Sequence, residues 1–193
     1  MGRLARIAQS DREEFFRRYP GWSKRYSGRL LCVALCQGAA LHFVDGSNGV
    51  KDFDVWSFFR EIPGQPIRRR RVVTRDFGSR KFGILPGKRG RKRDFIGRPV
   101  DLVFRSIPCR RGVGAIAALQ QYLADGRTKS ARCLAEKAVV LIEPSELKAK
   151  VAWLTCAITN DPPVAGSASL TPRSRKGGML QRWFRVIAAS RGG

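Results

Sequence analysis

Histidine is almost absent from this chain, which has His42 alone, and no two of its cysteines form a Cys-x-x-Cys pair. A zinc cluster built on these ligands is therefore not expected. The odd number of cysteines also argues against a disulfide framework, so the thiols are predicted to be reduced and mostly buried. The cysteines are Cys32, Cys36, Cys109, Cys133 and Cys156.

Long apolar runs are missing as well. No uninterrupted apolar stretch reaches the ~18 residues that a membrane-spanning helix needs. Residues 1–10 also lack the apolar segment of a secretory signal. These absences predict a cytoplasmic protein with no membrane partner.

Acidic residues are scarce. The 193 residues contain 15 Asp and Glu against 38 Lys and Arg, which gives a formal net charge of +23. A surplus of this size predicts a polyanionic partner, most simply nucleic acid. The length accommodates one sizeable core with an appendage rather than two full domains.

Two of the few acidic residues, Asp52 and Asp54, lie close together in the segment Lys51-Asp-Phe-Asp-Val-Trp56. In a strand, both carboxylates would point to one face, with Phe53 and Val55 on the other. Neighbouring carboxylates repel unless a cation lies between them, and a divalent ion with oxygen ligands is the usual solution. Taken alone, the pair is also compatible with an edge strand that has a solvated acidic face.

The hydropathy pattern predicts strands and helices that together make an α/β (α+β) fold. Residues 1–28 are read as a short helix from Asp11 to Tyr19, followed by a linker. Residues 29–107 are read as the core. Its predicted elements are a buried strand over Leu30–Cys36, a helix from Ala39, the strand of Asp52 and Asp54, and a strand from Pro99 to Phe104 that carries Asp101.

The remainder of the chain is predicted to be helical. Residues 108–157 are read as a helical part packed on the core, with helices over 112–125, 128–142 and 146–157. Residues 158–193 are read as a linker and a basic C-terminal helix.

The segment 68–98 has the strongest compositional bias, because its basic residues alternate with Val, Phe, Ile and Leu. This pattern predicts a basic β-hairpin that contacts the phosphates of a nucleic acid, with a solvated loop as the alternative. The predicted contact residues are Arg68, Arg69, Arg70, Arg71, Lys88, Arg89, Arg91, Lys92 and Arg93.

The order of an apolar strand, Gln37-Gly38-Ala39, a helix, Asp52-Phe-Asp54 and a later strand with Asp101 resembles the nucleotidyltransferase-fold superfamily related to DNA polymerase β. Thirteen residues separate Gly38 from Asp52, which fits the family's spacing. The local text looks most like the compact branch that contains abortive-infection-type toxins of toxin–antitoxin systems. Gln37 stands where the family has its first glycine, and Ala39 stands at its small or hydroxyl position.

The resemblance implies a minimal nucleotidyltransferase fold, with a small mixed sheet flanked by helices and with C-terminal helices. It also implies an enzyme that moves an NMP from an NTP onto a nucleic-acid acceptor, RNA or tRNA, by a two-metal mechanism. It assigns Asp52, Asp54 and Asp101 as catalytic residues and as ligands of two Mg²⁺ ions. Contacts to the nucleotide are implied for Gly38, Ala39, Lys51 and, as a second candidate, Ser47.

Two other functions remain open at this stage. The first is a non-catalytic RNA- or DNA-binding protein with a degenerate nucleotidyltransferase fold. The second is a metal-dependent nuclease that combines Glu143, Glu146 and Lys148 with Asp52 or Asp101. An antitoxin protein is a further partner that the resemblance implies.

Overall fold

The computed structural model describes residues 1–46, 49–75, 77 and 98–155, with Arg98 described by its backbone alone. Within these ranges the chain has an α+β fold, as the sequence predicted. The helices are α1 (Gly2–Arg18), α2 (Pro20–Tyr26), α3 (Gln37–Asp45), α4 (Ala115–Asp125) and α5 (Lys129–Ala135). The strands are β1 (Leu30–Cys36), β2 (Phe53–Arg60), β3 (Arg68–Arg75), β4 (Arg98–Ile107), β5 (Ala138–Glu143) and β6 (Val151–Leu154).

The strands form one six-stranded sheet in the order β3-β4-β2-β1-β5-β6. Strands β2 and β4 are parallel, and every other neighbouring pair is antiparallel. The continuous apolar run of β1 suits its position inside the sheet, where both of its faces are covered. The strand boundaries predicted for β1 are confirmed.

Helices cover both faces of the sheet. On one side, termed here the α1 face, Leu4 and Ala8 of α1 and Ala39 of α3 pack against Val33 and Leu35 of β1. The opposite side is termed the α4 face. There α4 and α5 pack against the other residues of the same strand, Cys32, Ala34 and Cys36. Because side chains alternate along a strand, Val33 and Leu35 belong to one core and Cys32, Ala34 and Cys36 to the other, whereas the register shifts between Leu30 and Cys32.

The predicted linker between Tyr19 and Gly28 is wrong, because most of it is helix α2. Pro20 occupies the first turn of α2, where its fixed φ suits a helix start. Tyr26 anchors the segment: its side chain is fully buried, and its hydroxyl donates to the carbonyl of Gln65 at 2.7 Å. The preceding helix is also longer than predicted, since α1 begins at Gly2.

Two of the three predicted C-terminal helices are also wrong. The segment 128–142 forms the short helix α5 and then strand β5, which pairs with β1 and is buried on both faces. The segment 146–157 contains a short 3-10 turn and strand β6, as far as it is described. The predicted helical part 108–157 therefore supplies two strands of the sheet. The helix predicted over 112–125 is confirmed as α4.

The structure describes the two paired strands at the base of the predicted basic hairpin. Strand β3 pairs antiparallel with β4 from Arg68 opposite Arg105 to Arg75 opposite Arg98. The returning arm is therefore the strand that carries Asp101, rather than a separate element. The remainder of the hairpin, 76 and 78–97, and the predicted C-terminal linker and helix lie outside the described residues.

The four described cysteines are unpaired, as predicted. Cys32 and Cys36 are buried, Cys109 is half-buried and Cys133 is exposed, so burial holds for two of the four. Cys156 lies outside the described residues. Within the described part of the chain, no helix has the length and apolar character required to cross a membrane.

Candidate active site

Three carboxylates from two segments of the chain lie at one end of the sheet. Asp54 in β2 and Asp101 in β4 are direct partners in the parallel register, and Asp52 lies just before β2. Direct partners in adjacent strands share a face, so Asp54 and Asp101 lie together on the α4 face. The structure therefore brings the three predicted acidic residues together.

The electrostatics of Asp54 reflect this crowding. Burial, and after it the charges of Asp52 and Asp101, raise the pKa of Asp54 from 3.8 to about 6. Arg70 and Lys137 act in the opposite direction without cancelling the effect. A carboxyl group poised near neutral pH among like charges is typical of a functional site rather than of a structural ion pair.

Arg70 forms an ion pair with Asp101. Its Nε lies 2.7 Å from Oδ2 and 2.9 Å from Oδ1 of that carboxylate. The carboxylate is 11% exposed, whereas the Arg70 side chain is 71% exposed. The ion pair therefore joins a largely buried carboxylate to an arginine whose side chain is mostly exposed to solvent.

Helix α3 begins at the same end of the sheet as the carboxylates. Cys36, the last residue of β1, is the register partner of Asp54, and α3 starts at the next residue. A methyl group added at Gly38, in the first turn, would have no described atom within 4 Å apart from its chain neighbours and the backbone of α3. Packing alone therefore leaves space for a side chain at Gly38, and the first turn is open to an approaching anion.

Gln37 holds this helix start in an uncommon conformation. Its φ is +63°, in the left-handed region that glycine adopts most readily and that costs a side chain about 1 kcal/mol. Its Nε2 donates to the carbonyl oxygen of Cys133 in α5 at 2.6 Å. Gln37 stands where the resembling family has glycine, and the hydrogen bond offsets the strain that a side chain brings to this position.

The three side chains are of the kind that Mg²⁺ prefers, because all of them are carboxylates. Among the described residues, no three His, Cys, Asp or Glu side chains stand close enough to enclose an ion by themselves. Mg²⁺ sites in nucleotide enzymes commonly use one or two carboxylates and complete the shell with water and substrate phosphates. The raised pKa of Asp54 shows that negative charge at this position is not fully compensated by the protein.

The other predicted site residues occupy different surroundings. Lys51 is exposed in the segment before β2, and the methyl group of Ala39 is buried in the core. Gly46 adopts a left-handed φ of +69° and ends α3, while Ser47 lies outside the described residues. Of the predicted nucleic-acid contacts, Lys88, Arg89, Arg91, Lys92 and Arg93 also lie outside them.

The four consecutive arginines of β3 divide between the two faces. Arg69 and Arg71 point to the α1 face, where both bind the carboxylate of Asp11. Arg68 and Arg70 point to the α4 face. The run was read from sequence as one contact surface, whereas two of its members hold α1 on the sheet.

Sequence reasoning missed two residues on the α4 face, Trp56 and Arg105. Each lies at an even spacing from a predicted site residue in the same strand, Trp56 from Asp54 and Arg105 from Asp101. Strand parity was the signal that could have found them.

The nuclease constellation is not assembled in the described structure. Glu143 lies at the opposite end of β5 from the carboxylate cluster and accepts a hydrogen bond from Arg12 of α1 at 2.7 Å. Glu146 lies in the 3-10 turn that follows. A thiol nucleophile at Cys36 is also unsupported, because burial and then Asp54 raise the pKa of its thiol well above the ordinary value.

Comparison of the chain with family models, with curated proteins and with solved structures finds no match.

Proposed function

We propose that the protein is a nucleotidyltransferase that moves an NMP from an NTP onto RNA, with tRNA as the first acceptor to test. One observation carries the proposal: Asp54 and Asp101 are direct register partners on one face, with Asp52 two residues before Asp54. This arrangement supports the resemblance noted in the sequence. The excess of basic residues supports a large polyanionic acceptor over a small molecule.

Each group has a role that follows from its position. Asp52, Asp54 and Asp101 are the residues that would hold Mg²⁺. The bound ions would neutralise charge on the phosphates and lower the pKa of the attacking hydroxyl group. The open first turn of α3, at Gly38, offers backbone N–H groups to the phosphates of the NTP.

Two cations complete the proposed site. Arg70 holds Asp101 in the ligand-free protein and turns to the triphosphate when the carboxylate is needed elsewhere. Lys137, in the turn before β5, already lowers the pKa of Asp54 and so lies within electrostatic reach of the reacting phosphates. Both act by offsetting negative charge, which is the main requirement of phosphoryl transfer.

The proposal predicts metal-dependent labelling of RNA. We expect the protein, incubated with each α-labelled NTP, Mg²⁺ and total tRNA, to transfer label from at least one NTP. Asp52→Ala and Asp54→Ala should each lower the rate about a thousandfold, because they remove several kcal/mol of charge stabilisation from the transition state. Asp125→Ala, which removes an exposed carboxylate on α4, should leave the rate unchanged.

Other outcomes identify the competing functions. RNA retention that survives both substitutions, with no transfer from any NTP, would support a non-catalytic RNA-binding protein. The Arg70–Asp101 ion pair is the observation that favours the non-catalytic RNA-binding protein, because Arg70 occupies the carboxylate that would otherwise bind Mg²⁺. Shortened RNA would support a nuclease.

A second prediction concerns Gly38. Gly38→Ala and Gly38→Val should both fold, since a Cβ at this position meets no described atom beyond its chain neighbours and the backbone of its own helix. Gly38→Val should nevertheless raise KM for the NTP at least about tenfold, by keeping the triphosphate off the first turn of α3. Equal KM values for the wild type and both variants would remove α3 from the nucleotide site.

The cellular setting is part of the proposal. The unpaired thiols support the cytoplasm as the compartment. A role as the toxin of a toxin–antitoxin pair rests on the resemblance. Growth arrest on expression of the wild type but not of Asp54→Ala, relieved by the product of an adjacent gene, would support it.

A further inference from the structure

Two arginines lie side by side in adjacent strands on the α4 face, away from the cluster of Asp52, Asp54 and Asp101. Arg68 in β3 and Arg105 in β4 are direct register partners. Like charges placed directly opposite in adjacent strands destabilise the pair. Neither arginine forms an ion pair with any Asp or Glu in the described part of the chain.

Arg105 is held in place by neutral groups. Its Nη2 donates to Oγ of Ser130 at 2.8 Å, and its guanidinium carbon lies 5.7 Å from the centre of the Trp56 ring. Burial, and to a smaller extent the charge of Arg68, lower the pKa of Arg105. The side chain is therefore positioned and partly desolvated without a counter-charge.

Two N–H donors at this position also lack a partner. Nε of Arg105 and Nε1 of Trp56 are buried, and neither donates to an acceptor in the part of the chain that the structure describes. Buried donors are almost always hydrogen-bonded, because an unpaired donor loses its hydration without compensation. An uncompensated arginine pair with unpaired donors beside it is the chemistry of an anion site.

The arginine pair lies on the same face as the carboxylate cluster. Arg105 is four residues beyond Asp101 in β4, which corresponds to about 13 Å along the strand. Between them lies a row formed by Trp56, Val103 and Arg70. On the α4 face, the carboxylate cluster and the arginine pair are thus about 13 Å apart, with Trp56 and Val103 between them and Arg70 beside Val103.

We propose that Arg68 and Arg105 bind a backbone phosphate of the single-stranded RNA whose hydroxyl group reacts at the carboxylate cluster. The identity of the ligand as the acceptor strand rests on the proposed function, whereas the anion site itself rests on the two arginines. The cost of opposing like charges is then offset when phosphate binds, as Arg–phosphate pairs are strong and directional.

Binding of a 5′-fluorescein-labelled single-stranded RNA 12-mer, followed by anisotropy in EDTA without NTP, tests the site separately from catalysis. The variant Arg68→Gln/Arg105→Gln should bind about tenfold more weakly than wild type at 100 mM salt. Its plot of log K against log salt should be shallower by about 0.7 for each phosphate that the variant no longer neutralises. The control, Arg17→Gln/Arg29→Gln, removes the same charge from exposed positions and should change affinity less than threefold.

A structural role for the arginines would give a different pattern. Arg68→Gln alone relieves the like-charge pair, so its melting temperature should equal or exceed that of wild type while its RNA affinity falls. A lower melting temperature with unchanged affinity would overturn the proposal. So would a double variant that binds RNA no more weakly than the control variant.

The NTP is the other source of phosphate and needs its own measurement. The double variant should bind ATP with the affinity of wild type, as measured by calorimetry in MgCl₂. Weaker ATP binding with unchanged RNA binding would overturn the assignment to the acceptor. Transfer by wild type with normal RNA binding by the double variant would refute this site and leave the proposed function standing. Weaker RNA binding by the double variant, with no transfer by wild type, would support the RNA site and contradict the proposed catalytic function.

Discussion

Asp54→Asn is expected to stabilise the folded protein by about 1–3 kcal/mol at pH 7.5 while abolishing nucleotide transfer. Burial, Asp52 and Asp101 raise the pKa of Asp54 from 3.8 to about 6. The folded protein therefore binds the Asp54 proton more tightly than the unfolded chain does. The contribution of Asp54 to stability is most favourable below pH 4 and falls as pH rises through 6, where the buried group becomes charged.

Urea denaturation at two pH values measures this effect. At pH 7.5 the Asn variant should have the higher free energy of unfolding, and at pH 4 the two proteins should be nearly equal. Asp125→Asn, at an exposed carboxylate on α4, is the control and should show no such gain. If the Asn variant gained the same free energy of unfolding at both pH values, its greater stability would come from packing rather than from the removal of a buried charge.

A ligand titration connects the same substitution to function. MgCl₂ with a non-hydrolysable NTP analogue should raise the melting temperature of wild type, because a ligand that binds only the folded state stabilises it. The Asn variant, which lacks one carboxylate charge, should respond much less. Greater stability together with a weaker ligand response is the pattern expected of a residue retained for chemistry.

The parts of the fold that the sequence predicted well are those with one dominant pattern. Strand β1 is a continuous apolar run, and β2 alternates so clearly that Phe53 and Val55 are buried while Asp54 is less so. Strand β5 is different, because the run Ala138–Glu143 is also compatible with a buried helix. Its assignment depends on pairing with β1, which is a tertiary contact that no local pattern contains.

The candidate site likewise has parts that a local sequence pattern predicts and parts that depend on tertiary contacts. The acidic residues could be named from the sequence, because Asp-x-Asp in a strand is a local signal. That Asp101 lies directly beside Asp54 depends on the parallel pairing of β2 with β4, across an intervening strand and connection. The different roles of neighbouring arginines in β3 depend on which face each one meets, and α1 decides this by placing Asp11 over the sheet.

Asp11→Ala is expected to lower the free energy of unfolding by about 3–5 kcal/mol. The carboxylate is only 3% exposed, and it accepts hydrogen bonds from Arg69 and Arg71. Arg69 is itself enclosed, with its guanidinium carbon 5.0 Å from the ring centre of Phe15 and 4.8 Å from that of Phe104. Removing Asp11 leaves this buried cation without a partner between α1 and the sheet.

Two further variants distinguish the contribution of the Asp11–Arg69 pair to stability from that of an exposed ion pair. Glu14→Ala removes an acid that binds Arg71 at 2.6 Å but is exposed to solvent, so it should cost far less stability than Asp11→Ala. Asp11→Ala/Arg69→Met should recover most of the lost stability, because it removes the unpaired cation together with the acid. If Asp11→Ala cost no more than Glu14→Ala, the contact would not hold α1 in place. Because Asp11 lies on the α1 face, the folded fraction of each variant should keep its RNA affinity, which the proposal assigns to arginines on the opposite face.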